Sequence, residues 1–313
     1  MAIPDLGGRP QEPWPSKTVA LVVNTRRRRA AELAHRTAEW LVDGGHQVRI
    51  PADDAAPLGL DKYGCAPDDL GPGADVAVSI GGDGTILRTV GLVAPARVPV
   101  LGVSLGRLGY LAHVEPDELT HAFECFVGGD FSLDERLLLR VEVDPGSGGA
   151  ARSDTSARSD TSAVPAVHLA LNEAVVEKPS PGQVVRVAVD VDGRFFTSYA
   201  ADGMIVATPT GSTAYAFSAR GPIIAPTHRA LLLSPVSPHM AFDRSLVFGP
   251  EQSLRLEVLD RPARLIVDGR ELGSLDEGAS ITATAADETA QFVVITPPDF
   301  YGVLKTKFGL ADR

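Results

Sequence analysis

Three short stretches of this 313-residue chain hold residues whose types and spacing suit phosphoryl chemistry. The first is Gly81-Gly82-Asp83-Gly84-Thr85, set between an apolar strand-like run and an apolar helix-like run. Glycines let the backbone turn tightly and approach a ligand with no side chain in the way. Successive amide N–H groups at a helix start form an anion site suited to a di- or triphosphate. A carboxylate in such a cradle repels that ligand, so Asp83 is expected to do work. It would accept a proton from an attacking hydroxyl, or hold a divalent cation that bridges phosphates. As plain structure, Asp83 would only cap the helix.

The second stretch is Asp202-Gly203 followed by residues 207–218, ATPTGSTAYAFS. Thr208, Thr210, Ser212, Thr213 and Ser218 put five hydroxyls into eleven residues around a Pro-Thr-Gly turn. Ser212 or Thr213 is expected to cap the helix that follows and leave free amides facing a ligand. Tyr215 offers an aromatic face for a base or nicotinamide. The third stretch is Leu171-Asn172-Glu173, inside a β-like run from His168 to Lys178. Asn can donate and accept at an adenine edge, and Glu can accept from both hydroxyls of a ribose. Adjacent strand residues point to opposite faces, so a strand end or bulge must bring both to one ligand.

The elements that must position these residues fall into two halves. In the first, strands are predicted at Lys17–Asn24, His46–Ile50, Asp75–Ile80 and Val98–Val103, and helices at Ala30–Gly44 and Glu115–Phe126. Strands alternating with helices imply crossover units and a mainly parallel sheet, with ligands beyond the strands' carboxyl ends. The cationic run Arg26–Arg29 sits at a strand-to-helix turn and reads as a phosphate contact or a solvated loop. From about Leu133 the pattern becomes short β-rich runs at 136–144, 168–178, 184–190, 195–200, 255–259, 264–268, 280–284 and 291–295. Asp192-Gly193, Asp268-Gly269 and Glu277-Gly278 punctuate them as hairpin signals. One helix-capable stretch lies around Ser212–Ala219. The expected fold is therefore an α/β N-terminal domain with a mainly parallel sheet plus a C-terminal β-rich, sandwich-like domain. Its boundaries are a loose tail at 1–16, an α/β domain at 17–130, a β-rich domain at 131–296 with a flexible loop at 145–165, and a C-terminal tail at 297–313. That tail is expected to pack back on the N-terminal domain. The hexad ARSDTS occurs twice, at 151–156 and 157–162, and reads as a duplicated solvated loop.

Composition removes several classes of function. The formal charge of −11 gives no basic field for nucleic acid or an anionic membrane. Two cysteines, Cys65 and Cys125, are too few for a disulfide scaffold, a four-cysteine zinc site or an iron–sulfur cluster, and read as buried or half-buried thiols. No signal-peptide pattern and no membrane-length apolar run is present, which points to the cytoplasm. Neither G-x-x-x-x-G-K-[ST] nor G-x-G-x-x-G occurs. Gly102-Val103-Ser104-Leu105-Gly106 does fit the hydrolase elbow G-x-S-x-G, but the segment after it is broken by glycine where a helix is required. A lipid kinase and a non-catalytic dinucleotide sensor are the other rivals; the first lacks a use for TPTGSTAY and the Asn-Glu pair, and the second would have lost Asp83.

Taken together, the motifs resemble the NAD kinase family along nearly the whole chain. The residues that carry the resemblance are GGDGT at 81–85, GRLGYL at 106–111, LNE at 171–173, DGMIVATPTGSTAYAFSARGPI at 202–223, SPHMAF at 237–242 and VDG at 267–269. The resemblance implies transfer of a phosphoryl group from ATP, or from polyphosphate, to the adenosine-ribose 2′-hydroxyl of NAD, giving NADP. A divalent cation, Mg²⁺, is expected with the donor, and no protein metal ligands are assigned. By the same resemblance Asp83 would activate the hydroxyl, with Gly81, Gly82, Gly84 and Thr85 lining phosphates and Arg88 meeting one. Tyr110 would lie near the adenine, and Asn172 and Glu173 would hold the adenosine. Asp202, Thr213, Ala214, Tyr215 and Ser218 would line the rest of the dinucleotide pocket, with His239 nearby. The family further implies a homodimer or homotetramer. Arg107 stands where many members carry Asn, and Ser245 where Pro is usual.

Overall fold

The structure, a computed structural model, describes residues 15–106, 109–112, 114–146, 167–297 and 299–310. Most of the N-terminal tail, Arg107 and the duplicated ARSDTS loop lie outside the described residues. The described residues divide into two compact units, one running to Glu135 and resuming at Glu288, the other Arg136–Asp287.

The first unit holds β1 (Thr18–Val23), α1 (Arg28–Asp43), β2 (Gln47–Pro51), α2 (Ala52–Leu58), β3 (Gly64–Cys65), β4 (Val76–Gly81), α3 (Asp83–Val93), β5 (Val100–Ser104) and α4 (Leu119–Gly128). The strands lie in the order β5-β4-β1-β2-β3, every pair parallel. The valine-rich sequence TVALVV makes β1 a strand covered on both faces, because β-branched residues fit a pleated, buried surface. Helix α1 turns Ala30, Leu33, Ala34, Thr37, Ala38 and Leu41 inward at the three-to-four spacing of one helical face. It starts at Arg28 rather than Ala30, so Arg28 and Arg29 sit in its first turn and not in a loop. The short helix α2 was not legible as one.

The chain then enters β6 (Ser132–Asp144), β7 (Val167–Ala170), β8 (Glu173–Glu177), β9 (Val185–Val191), β10 (Arg194–Ala201), β11 (Gly203–Ala207), α5 (Tyr215–Ser218), β12 (Leu231–Val236), β13 (Leu246–Phe248), β14 (Leu254–Val258), β15 (Ala263–Val267), β16 (Arg270–Leu275) and β17 (Ser280–Val294), and ends in α6 (Phe300–Phe308). In the second unit an antiparallel sheet runs β13-β12-β11-β8-β15-β16. A second antiparallel run orders β10, β9, β14 and the start of β17. One core joins them, with Val187, Val189, Leu254 and Ile281 from one sheet and Val176, Met204, Leu231 and Leu265 from the other. The architecture is thus an α/β domain with a mostly parallel sheet and a β-rich domain of two packed sheets.

Three local expectations are corrected, and the C-terminal tail gains a defined element. The run 168–178 is two strands, β7 and β8, interrupted at Leu171-Asn172. The runs 280–284 and 291–295 are one continuous strand, β17, whose end returns to the first unit, where Phe292 pairs with Val100. The residues around 212–219 form a 3₁₀ turn at Thr210–Thr213 and a single α turn, not one longer helix. The C-terminal segment is helical: Asp299 accepts the Gly302 N–H as an N-cap, and Gly309 ends α6 at φ 61°.

Candidate active site

In the first unit, fully buried β4 ends at Gly81, and α3 begins two residues later. Gly82 is the extended N-cap residue and has no side chain to give, so no side chain caps α3. The amides of Thr85 and Ile86 already bond the Gly82 carbonyl at 2.8 and 3.2 Å. A Cβ built on Gly82 or Gly84 would meet nothing within 4 Å, so both face open space. Gly81 differs: its Cβ would lie 2.2 Å from Thr85 Oγ1, so it is required by packing under Thr85. The result is a helix N-terminus approachable along its backbone, a favourable place for negative charge.

Asp83 is the first residue of α3 and does not cap it. Its carboxylate is bracketed instead. A Cβ on Gly109 would lie 2.1 Å from Asp83 Oδ1, so only a glycine fits there without displacing the carboxylate. On the other oxygen, Lys307 Nζ of α6 stands 3.9 Å from Oδ2. The same ammonium lies 3.9 Å from the centroid of the Tyr110 ring. Tyr110 also packs against Phe300, and its hydroxyl is buried with no hydrogen-bond partner among the described residues. Burial first, and then the charge of Asp83, pushes the Tyr110 phenol up from its ordinary value.

Arg88, expected to meet a phosphate, pairs with Asp54. Its Nη1 and Nη2 donate to Asp54 Oδ1 and Oδ2 at 2.8 and 2.5 Å, and Nη2 also donates to the Val23 carbonyl at 3.0 Å. Asp54 is buried and accepts the Val23 N–H as well. This two-pronged pairing ties α3 to α2 and the end of β1, and 34 residues of separation hid it from sequence reasoning.

In the second unit, the interruption between β7 and β8 is held by Asp268. Its Oδ2 accepts the Leu171 N–H at 2.7 Å, and its Oδ1 accepts those of Asn172 and Glu173 at 2.8 and 3.1 Å. The strand end that the Asn172-Glu173 pair needed is therefore present. Asn172 is half-buried in the break, while Glu173 opens β8 and is 6% exposed. One Glu173 oxygen, Oε2, has no hydrogen-bond partner among the described residues. Burial, reinforced by the neighbouring charge of Asp268 and opposed by the Tyr215 amide, raises its carboxyl to about 8.

The hydroxyl-rich turn packs on this break. The Asn172 carbonyl accepts the Thr208 N–H, and Thr208 Oγ1 donates to the Leu171 carbonyl at 2.5 Å. Gly211 lies so close that its Cβ would come 2.0 Å from the Asn172 oxygen. Ser212 Oγ donates to the Pro209 carbonyl and accepts the Ile224 N–H. Thr208 and Ser212 therefore hold the turn, and neither Ser212 nor Thr213 caps α5. Thr213, whose hydroxyl donates to the Thr210 carbonyl, and Ala214 are half-buried; Ser218 is exposed.

Beside the turn, the Tyr215 hydroxyl donates to Glu177 at 3.3 Å, and Arg264 donates to the other Glu177 oxygen at 2.8 Å. Burial and then the Glu177 charge raise the Tyr215 phenol. Asp202 pairs with Lys178 at 2.6 Å. Glu177, Lys178 and Arg264 were not singled out from sequence, although the first two directly follow the apolar run of β8. His239 is exposed in the loop after β12, its N–H bonded to the Ala200 carbonyl. Ser245, the departure from proline, shares a hydrogen bond with Ser234. Ser104 is 5% exposed, and the described residues after it form bends, not the helix of a hydrolase elbow. Both cysteines are free and half-buried. Among the described residues no three His, Cys, Asp or Glu side chains gather as a metal site, and no helix is long and apolar enough to cross a membrane.

Comparison with known proteins places these features in one lineage. Residues 19–131 match the family model described as ATP-NAD kinase N-terminal domain, and residues 171–295 the one described as ATP-NAD kinase C-terminal domain. The chain is 36% identical to the NAD kinase of Thermobifida fusca over 94% of its own length and 90% of that protein's. An NAD kinase from Archaeoglobus fulgidus, solved in complex with ATP, is 26% identical with a TM-score of 0.66, covering 94% of this chain and 100% of that one. Yeast NADH kinase complexed with NADH shares the fold at a TM-score of 0.81 and 22% identity, over 96% of this chain and 89% of that one. With both family models matched and a relative this similar along nearly its whole length, the chain belongs to the NAD kinase family of phosphotransferases.

Proposed function

We propose that the chain moves the terminal phosphoryl group of ATP to the adenosine-ribose 2′-hydroxyl of NAD, with Asp83 as the base. The observation that carries this reading is the placement of one carboxylate in the first turn of an uncapped helix whose flanking glycines face open space. The 2′-hydroxyl gives its proton to Asp83 as its oxygen bonds the terminal phosphorus. The bond from that phosphorus to the ADP oxygen breaks, ADP leaves, and Asp83 returns the proton to solvent. Phosphoryl transfer of this kind needs little covalent help from the protein, so positioning and charge neutralisation supply most of the catalysis. Amides around Gly82 and Gly84 take the phosphate charge. The Mg²⁺ belongs to the nucleotide substrate and offsets charge on its phosphates. Polyphosphate, a chain of the same linkages, is the second donor the loop suits.

Asn172 and Glu173 hold the adenosine, with Glu173, neutral in the free protein, able to donate as well as accept. Asp202, Thr213, Ala214, Tyr215, Ser218 and His239 line the rest of the dinucleotide, and Tyr110 serves the adenine. Arg88 supports the phosphate loop through Asp54. The assembly is a homodimer or homotetramer; Phe195 and Phe196, 67% and 44% exposed on edge strand β10, support a face covered by another copy. The free thiols suit a cytoplasmic protein. The experiment incubates the protein with NAD and Mg²⁺ and either ATP or polyphosphate, and reads the product with an NADP-specific dehydrogenase. NADP formed with ATP is expected; a phosphorylated product inert to that dehydrogenase would contradict the 2′ assignment.

A further inference from the structure

We propose that Lys307, in the last turn of α6, is a positioning residue that fixes the Asp83 carboxylate for proton transfer. The inference rests on the reading of Asp83 as the base. Among the described residues the Asp83 carboxylate accepts no hydrogen bond, so rotation about its side chain is checked by its neighbours alone. Gly109 closes one side, where even a methyl group would collide with Oδ1. Lys307 Nζ stands against the other oxygen at 3.9 Å.

A lysine side chain is long and flexible, and Lys307 is exposed along α6, so any constraint on its ammonium comes from the groups beside it. Its ammonium lies 3.9 Å from the centroid of the Tyr110 ring, within the range where the negative face of an aromatic ring holds a cation. The ring is itself fixed by Phe300 from the start of α6 and by burial of its hydroxyl. Helix α6 is defined at both ends, by the Asp299 cap and the left-handed Gly309. Gly109 and Tyr110 are neighbours in sequence, so one short loop supplies both the wall behind Asp83 and the platform under Lys307. The ammonium also offsets the repulsion that an arriving phosphate exerts on the carboxylate, so that a base can share its site with an anionic donor.

The test is steady-state kinetics of the full chain with Lys307→Met and Lys307→Arg beside wild type and Asp83→Asn, with KM for NAD and ATP and kcat measured separately. Expected for K307M is a fall in kcat of about 10- to 100-fold, with KM for NAD within about twofold, because an orienting contact and not a binding contact is lost. K307R restores most of that loss, since a cation again lies between carboxylate and ring. K307M turning over within twofold of wild type, or K307R no better than K307M, overturns the proposal. If K307M melts more than 10 °C below wild type, K307Q is read by the same criteria. Failure of wild type to make NADP, or full activity of D83N, would instead remove the reading of Asp83 on which the proposal stands.

Discussion

Glu173 and Asp268 bring two carboxyl groups to one strand break, and they are hydrogen-bonded differently. Burial raises the Asp268 carboxyl above its ordinary value, and the three backbone N–H groups it accepts oppose that rise by favouring the charged form. Glu173, buried beside it, has one oxygen with no hydrogen-bond partner among the described residues, and its carboxyl is raised to about 8. Two adjacent buried charges would repel, and burial favours neutralising the one with fewer donors.

That difference makes stability depend on pH. The Glu173 carboxyl ionises near 4.5 when unfolded but near 8 when folded, so between those values the folded state binds the extra proton. Its contribution is full below about pH 4.5 and is lost as the pH rises through about 8. Glu173→Gln, which cannot ionise, should melt progressively higher relative to wild type from pH 5 to pH 9, by a few degrees at the upper end. A melting-temperature difference that is flat across this range would contradict the assignment.

Gly211 and Asn172 test the turn against the break. A Cβ at Gly211 meets backbone, which cannot step aside. Gly211→Ala is expected to cost about 2 kcal/mol or more of stability and to weaken NAD binding at least tenfold. Chemical denaturation and titration with NAD check both effects; unchanged values would show that the turn relaxes freely.

Gly109→Ala has the opposite profile. Here the obstacle is the end of the Asp83 side chain, which can swing away. Thermal stability should change by less than about 1 kcal/mol while kcat falls about 10- to 100-fold. Equal losses in both would mean that Gly109 serves the fold and not the carboxylate.

Arg88→Met separates a structural arginine from a phosphate ligand. Removing it leaves the buried Asp54 charge unpaired, a class of change that costs about 3–5 kcal/mol, toward the lower end here because Arg88 is partly exposed. Denaturant unfolding should show that loss. A KM for ATP raised tenfold with stability intact would return Arg88 to the phosphate role.

Legibility in the sequence followed the range of the interactions. The passage from β4 through GGDGT into α3 was readable because a β-branched run, clustered glycines and an apolar helical face succeed one another locally. The break at Leu171-Asn172 was not, since HLALNEAVVEK reads as one apolar run and the residue that interrupts it, Asp268, lies about a hundred positions on. Strand β17 looked like two strands because its middle, Ala286-Asp287-Glu288-Thr289, is polar. Helix α6 was read only as a tail, although Asp299 before it, lysines in its last turn and Gly309 after it are start and stop signals. The hydroxyls of Thr208 and Ser212 were counted toward a ligand, whereas they close the turn's own hydrogen bonds.

The most direct measurement compares wild type with Asp83→Asn in an assay of NAD, ATP and Mg²⁺, with NADP read by an NADP-specific dehydrogenase and NAD binding measured separately. Expected are NADP from wild type, a turnover about 10²- to 10⁴-fold lower in the variant, and NAD affinity within a few-fold of wild type. Turnover of the variant within a few-fold of wild type would contradict the assignment of Asp83 as the base.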